Sequence, residues 1–328
     1  MYSGKIIDSH FHAYAGKDCS DFISDLLEKG GLDGIGIASI PRALAHSEHF
    51  YNEEALKLKK ENPGKIYVFG ALDYSDRGYL KGKVDFAAQA KKLFEAGADG
   101  MKMLEAKPNA RKALGIPVDS PIFDSYYSYM EENSFPILMH VADPEEFWDT
   151  EKAPEWAKKH GWFWGDGSFL PKEQLYSETE GVLKKFPKLQ ITFAHFFFLS
   201  ADIDRASKFL DKWENVSFDI TPGWEMYDNF SRRSSEWRTF FKNYSDRIIF
   251  GTDNTPPTKG NSQEHLEHCL ASVSKIRNFL ETGDEMFSGR GLELDKTSLE
   301  KIYSGNFTSR IRRKDCCNSK LKSALSCM

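Results

Sequence analysis

The chain has 328 residues, 40% of them hydrophobic, enough to bury a full core and close to the size at which a barrel forms one domain. Lys and Arg number 44 against 49 Asp and Glu, a net charge of -5, which excludes the basic excess of a nucleic-acid or anionic-membrane partner and leaves a small molecule as the expected ligand. The start of the chain carries no basic leader before an apolar stretch, no apolar run approaches the ~20 residues of a membrane span, and five cysteines lack framework spacing, so a cytoplasmic protein is expected.

Short β-branched or aromatic runs alternate along the chain with longer amphipathic segments, the pattern of repeated βα units. The strand-like runs cover 5–12, 34–39, 66–73, 100–104, 136–141, 190–195, 216–220 and 247–253. The helical segments between and after them cover 21–29, 53–61, 84–96, 122–132, 172–186, 202–213, 235–243 and 263–280. Gly30-Gly31, Asn62-Pro63-Gly64 and Gly97 follow three of these helices, where a left-handed residue or a proline ends the helix. From His12 to Asp253 is 253 − 12 = 241 positions over seven steps, about 34 each, near the ~30 of a βαβ unit. The expected fold is therefore an α/β (β/α)8 TIM barrel, with room for distortion, in a single domain over 1–312 that ends in C-terminal helices, one of them predicted at 294–303. The tail 313–328, with Cys316, Cys317 and Cys327, is polar and without aromatic residues and is expected to be disordered. One connection breaks the rhythm: 143–170, a long loop insertion after strand five rich in Pro and Trp, reads as a lid or specificity loop.

The candidate chemistry sits at strand ends. In Ile6-Ile7-Asp8-Ser9-His10-Phe11-His12, the residues Asp8, His10 and His12 recur with period two, so all three are expected on one face of the strand. Neutral imidazole is a preferred nitrogen donor for zinc and similar ions, and strands five and six also end in imidazoles, His140 and His195. The last strand closes with Asp253 at the same height. Barrel active sites occupy that end of the strands, and three histidines with an aspartate suffice to hold an ion. His46, His49, His160, His265 and His268 fall in loops or helices and read as surface residues.

These residues resemble the amidohydrolase superfamily, and most closely its amidohydrolase-related branch, which holds aminocarboxymuconate-semialdehyde decarboxylase and resorcylate-type decarboxylases beside hydrolases. Phe193-Ala194-His195 and Gly251-Thr252-Asp253 resemble its strand-six and strand-eight motifs, and Lys301-Ile302-Tyr303-Ser304-Gly305-Asn306 its closing helix. The resemblance runs from about Lys5 to Ile311 and implies that His10, His12, His140 and Asp253 bind one divalent ion, zinc first and manganese second. It further implies that His195 and Asp253 move protons, and it carries a homodimer as the family-level expectation. Asp8 is expected to orient a ligand histidine from behind or to be a structural carboxylate.

Lys102, at the end of strand four, has three readings: an ammonium that binds a substrate carboxylate or carbonyl, a carboxylated lysine bridging two metals as in other branches, or a structural residue. Trp164, Asp166 and Trp224 are candidate pocket walls, and Arg42, Arg232 and Arg233 candidate clamps for an acidic substrate. Three functions follow. The first is a metal-dependent hydrolase in which activated water attacks an amide, ester or lactone carbonyl. The second is a non-oxidative decarboxylase of a small carboxylic acid, and the third a silent ligand-binding barrel, against which the complete set of site residues argues.

Overall fold

A computed structural model of the chain describes residues 1–13, 19–44, 52–257 and 262–311. The polar tail 313–328, His46 and His49 lie outside the described residues. Eight strands, β1 (Ile7–Phe11), β2 (Gly34–Ala38), β3 (Ile66–Gly70), β4 (Gly100–Ala106), β5 (Ile137–Val141), β6 (Ile191–Phe193), β7 (Val216–Asp219) and β8 (Ile248–Ile249), form one sheet in sequence order. Every neighbouring pair is parallel. The sheet closes between β8 and β1, where Ser9 N donates to Phe250 O (3.0 Å), Asp253 N to His10 O (2.8 Å) and His12 N to Asn254 O (2.9 Å). This is the expected (β/α)8 barrel.

The helices α1 (Ser20–Gly30), α2 (Asn52–Glu61), α3 (Phe86–Ala96), α4 (Pro108–Leu114) and α5 (Asp124–Glu132) lie within the first half of the chain. Gly31 (φ 63°) and Gly97 (φ 112°) close α1 and α3 in the left-handed conformation, as their sequence positions predict. Helix α4 was not foreseen. It is short, opens on Pro108, where a proline's missing N–H costs nothing, and ends at Gly115 (φ 80°). The insertion is no bare loop. It carries the short helix α6 (Glu155–Lys159) and a small core of its own in which Phe147, Ala157 and Trp164 are buried beneath Trp148, Trp162 and Phe169. Then come α7 (Lys172–Lys185), α8 (Ile203–Lys212), α9 (Trp224–Arg232), α10 (Ser234–Asn243), α11 (Ser262–Glu281), α12 (Lys296–Glu300) and α13 (Asn306–Arg310). Among the described residues no helix is long and apolar enough to cross a membrane.

Alternation along the strands sorts the core into two layers. Met101, Met103, Ile137, Met139, Ile191, Phe193, Val216, Phe218 and Ile248 pack outward against the helices in one continuous cluster. Ile7, Ala38, Phe69, Leu138, Ala194 and Ile249 fill the interior together with Phe307 of α13. Each such fully buried large apolar side chain contributes about 1.5–3 kcal/mol. The predicted closing helix 294–303 is realised as α12, a single π-helical turn Lys301–Gly305, and α13. Asn306 explains the Gly-Asn pair, because its amide donates to both Ser245 O and Ile248 O at 2.7 Å and pins the closing helix beneath β8.

One polar side chain enters the outer layer. Glu105 of β4 is fully buried, and Tyr74 donates to its Oε1 at 2.6 Å, while its Oε2 and the nearby Tyr126 hydroxyl have no partner among the described residues. Burial raises the Glu105 carboxyl to about 7, above its ordinary 4.5. A raised folded pKa contributes stability that is complete below the unfolded value and is lost as pH rises through the folded one. Wild type should therefore lose stability between about pH 5 and 8, and Glu105→Gln, which keeps the acceptor for Tyr74, should exceed it by up to about 3 kcal/mol at pH 8. Urea unfolding at both pH values reads the difference, and equal slopes of stability with pH in the two proteins would contradict the assignment.

Candidate metal centre

The strand ends converge at the C-terminal mouth, and backbone irregularities aim the side chains there. The β1–β2 register shifts between Asp8 and Phe11. Gly36 makes this possible, since a Cβ there would stand 2.7 Å from the Ser9 carbonyl oxygen. The shift breaks the simple period-two face expected for Asp8, His10 and His12. Asp8 faces β8 instead, accepting from Thr252 N (3.0 Å) and Thr252 Oγ1 (2.5 Å), and from His10 N (3.1 Å), so it ties β1 to the last strand and touches no imidazole ring.

His10 and His12 point into the mouth. The Nδ1 of His10 meets Asp219 Oδ2 at 2.9 Å and the Nδ1 of His12 meets Ala38 O at 2.7 Å. An acceptor at each Nδ1 assigns the ring proton there, so both Nε2 lone pairs face inward. They lie 3.2 Å apart, and Asp253 Oδ1 stands 3.2 Å from the Nε2 of His12 and 3.7 Å from that of His10. Two lone pairs and a carboxylate oxygen this close repel unless a cation lies beside them, as the Lys102 ammonium does at 3.0 Å from the His10 Nε2. Ligands about 2.0–2.1 Å from a tetrahedral ion stand about 3.3 Å apart, so the trio fits a divalent metal. Burial lowers the His10 pKa to about 4, with the Lys102 ammonium acting in the same direction, and this keeps the ring in its ligating form. Burial pushes the Asp253 carboxyl up, but its contact with His12 and the nearby His10 and His195 outweigh it and hold the group well below the usual carboxylate range.

His195 and Asp253 do not end strands. β6 stops at Phe193 and β8 at Ile249, and both residues lie in the turns beyond, in the left-handed conformation (φ 54° and 57°). Phe196, Phe197 and Phe198 continue the left-handed turn, which costs roughly 1–2 kcal/mol per residue in a non-glycine chain. Such strain persists where surrounding contacts over-determine it. Here His195 N donates to Asp219 Oδ1 at 2.7 Å, and its ring Nδ1 faces Thr221 O at 3.2 Å. The ring stacks on Phe198 at 5.3 Å and meets His140 edge-on at 4.8 Å. Burial lowers the His195 pKa, so the imidazole is neutral.

His140 stands apart from the compact trio: among the described residues the donor atoms within 4.8 Å of one another belong to His10, His12 and Asp253. Its Nε2 donates to Ala142 O (2.9 Å) and Asp143 Oδ1 (3.1 Å), which leaves Nδ1 as its lone-pair nitrogen. Lys102 is 1% exposed, and its ammonium lies 3.0 Å from the Nε2 of His10. Burial lowers its pKa to about 8.

The model of the Amidohydrolase family matches residues 7–306. The chain belongs to the amidohydrolase family. No curated protein matches it. Solved structures share its fold: a putative amidohydrolase from Staphylococcus aureus has a TM-score of 0.60 at 12% identity, covering 94% of this chain and 99% of the other. The 5-carboxyvanillate decarboxylase LigW of Sphingomonas paucimobilis has a TM-score of 0.56 at 12% identity, covering 94% and 100%. A dihydroxybenzoic acid decarboxylase from a Polaromonas species, solved with manganese and 2-nitroresorcinol, has a TM-score of 0.57 at 13% identity, covering 94% and 97%. The amidohydrolase family is one of metal-dependent enzymes acting on small molecules, and the His-His-Asp trio is the candidate metal site of this member.

The other sequence-named residues fall differently. Trp164 is buried in the core of the insertion and donates from its indole N–H to Asp143 Oδ2 at 3.1 Å. Asp166 is exposed and caps Ser168 N at 2.8 Å. Trp224 opens α9 with Lys275 Nζ 4.5 Å above its ring and Phe287 stacked at 5.9 Å. Arg232 is exposed at the end of that helix, Arg233 pairs with Glu236, and Arg42 lies beside Glu53 at 3.3 Å. Among the described residues, Trp164 is the one of these six that connects to the site histidines, through Asp143.

Sequence reasoning passed over Asp219, Thr221, Lys107 and Asp143. Asp219 was legible by the strand-end rule, since it ends β7 in Val216-Ser217-Phe218-Asp219. It is fully buried, and its two oxygens hold the His10 ring, the His195 backbone and Thr221 N (3.1 Å). A carboxylate behind a ligand imidazole fixes tautomer and direction, and losing it costs about 10–100-fold in metal affinity. Asp219→Asn should therefore bind zinc about 10–100-fold more weakly in chelator competition while remaining folded; unchanged affinity would remove Asp219 from the site.

Proposed function

We propose that this chain is a metal-dependent hydrolase of a small organic molecule, with His10, His12 and Asp253 holding one ion and His140 completing the set through Nδ1. The observation that carries the reading is the convergence of the His10 and His12 Nε2 atoms and Asp253 Oδ1 within 3.7 Å of one another, with the His195 ring 5.7 Å from that of His10. A divalent ion bound there supplies Lewis acidity and brings the pKa of bound water from about 15.7 toward ~7. Asp253, whose Oδ1 contacts His12, accepts a proton on its other carboxylate oxygen. His195 holds its own proton on Nδ1 toward Thr221 O, so Nε2 is the atom that takes a proton and later returns it to the leaving group. The buried Lys102 ammonium neutralises negative charge that develops on a carbonyl oxygen, and Asp219 keeps His10 and the His195 backbone in place throughout. The carbonyl belongs to an amide, ester or lactone.

Non-oxidative decarboxylation of a small carboxylic acid is the second reading. Lys102 favours it, because a buried ammonium beside the metal site suits a substrate carboxylate and has a proton to give, and two of the structural neighbours carry decarboxylase names. Either reaction takes zinc or manganese as the ion, with a homodimer in a reducing cytoplasm as the expected setting; Cys269 is a buried thiol, which fits that compartment.

Metal analysis of wild type, His12→Ala and Asp253→Ala is expected to give about one ion per chain in the first and none in the other two. The metal-loaded enzyme, assayed on esters, lactones, amides and aromatic carboxylates, is expected to release acid from a carbonyl substrate, with the rate falling at least about 100-fold in His195→Ala. Carbon dioxide release without carbonyl hydrolysis would replace the first reading by the second, and wild type without metal would end both.

A further inference from the structure

A second charged group stands at the mouth beside the histidines. Lys107, the residue after β4, has a side chain 12% exposed, and its ammonium contacts Asp143 Oδ1 at 2.6 Å. An ammonium carries three N–H donors. Among the described residues Asp143 is the only acceptor near this one, because the other neighbour, His140 Nε2 at 3.5 Å, already donates to Ala142 O and Asp143. Two donors of a mostly buried cation are thus left over. The Trp162 ring, 5.1 Å away, forms an aromatic wall on one side.

Asp143 is in the opposite position. Its carboxylate takes Lys107, the His140 ring and the Trp164 indole, and it has a donor besides Lys107 on each oxygen. Exchanging the lysine for another partner would leave Asp143 hydrogen-bonded, whereas Lys107 gains by meeting a second anion.

We propose that Lys107 is a specificity determinant that receives an anionic oxygen group of the substrate, a carboxylate on a small organic acid, and that Asp143 is a resident competitor for the same ammonium. The inference rests on the reading of the mouth as the substrate site and deepens it. The substrate's reacting carbon faces His10, His12 and Asp253, and its carboxylate lies on the far side of the His140 ring against Lys107, with the body of the molecule beside Trp162. Asp143 sets the affinity: its charge keeps Lys107 in place before binding and weakens the hold on the incoming anion.

The two charges make opposite predictions. Benzoate is the probe and uncharged benzamide the control, titrated by calorimetry into wild type, Lys107→Met, Lys107→Arg and Asp143→Asn, each with and without zinc. Lys107→Met should weaken benzoate at least about tenfold and leave benzamide and zinc content unchanged, while Lys107→Arg should keep most of the affinity. Asp143→Asn, which retains the shape, removes the charge and gives up one of the two acceptor oxygens, should strengthen benzoate several-fold. Equal weakening in Lys107→Met and Asp143→Asn would make the pair a strut and overturn the proposal, as would benzoate binding indifferent to Lys107 or absent from both wild type and Asp143→Asn. Because the charge effect is read with and without zinc, a chain that fails to bind metal still reports on Lys107.

Discussion

The Asp219 carboxylate is the point on which the mouth of the barrel depends. One oxygen fixes the ring of His10, and the other holds the backbone of His195 as the chain leaves β6. Two residues 185 positions apart in the chain (195 − 10) are set by a single buried group whose charge is stabilised by the bonds it makes. Burial raises the Asp219 carboxyl, and the His10 hydrogen bond leads the contributions that overcome it, so the ring and the carboxylate hold each other in the forms a metal site requires.

Around that point the fold accepts local cost for precise placement. Ala142, His195 and Asp253 all adopt positive φ just beyond strands five, six and eight. The left-handed turn moves each chain off the strand direction at the height where side chains must converge. At Asp253 it is held by the hydrogen bond from its own N–H to His10 O, which is also part of the seam that closes the barrel. Barrel closure and the placing of Asp253 beside His10 thus share one hydrogen bond at this edge. Gly251 belongs to the same arrangement, because a Cβ there would stand 2.7 Å from Thr221 Cγ2 and 3.1 Å from His10 Cβ.

The charge at the mouth is balanced by pairs, not by solvent. Lys102 donates to the lone pair of His10 and Lys107 to Asp143, both largely out of water. Burying an ammonium is tolerated only where anions or acceptors surround it. Lys102 and Lys107 stand among three carboxylates, Asp143, Asp219 and Asp253, and these let the two ammoniums keep their charge out of water. The insertion is part of this balance through the Trp164 indole on Asp143, so its aromatic core and the polar centre are mechanically joined.

The strand and helix rhythm, the eight units and the parallel order were legible in the sequence, because alternating apolar periods follow from which side of each element meets the core. His10, His12 and Asp253 were legible for the same reason, being polar residues at the ends of apolar runs. Helix α4 was hidden because its few residues give no periodic signal, and the β1 irregularity was hidden because a one-residue shift leaves composition unchanged while turning Asp8 toward Thr252. The roles of Asp219, Lys107 and Asp143 lay beyond the sequence, since each is defined by partners on other elements. Residue types and their spacing along one chain determine which side chains reach the mouth of a barrel. Which of them share a proton, a cation or a tautomer depends on distances of about 3 Å between atoms far apart in sequence, and only the closed tertiary structure decides those.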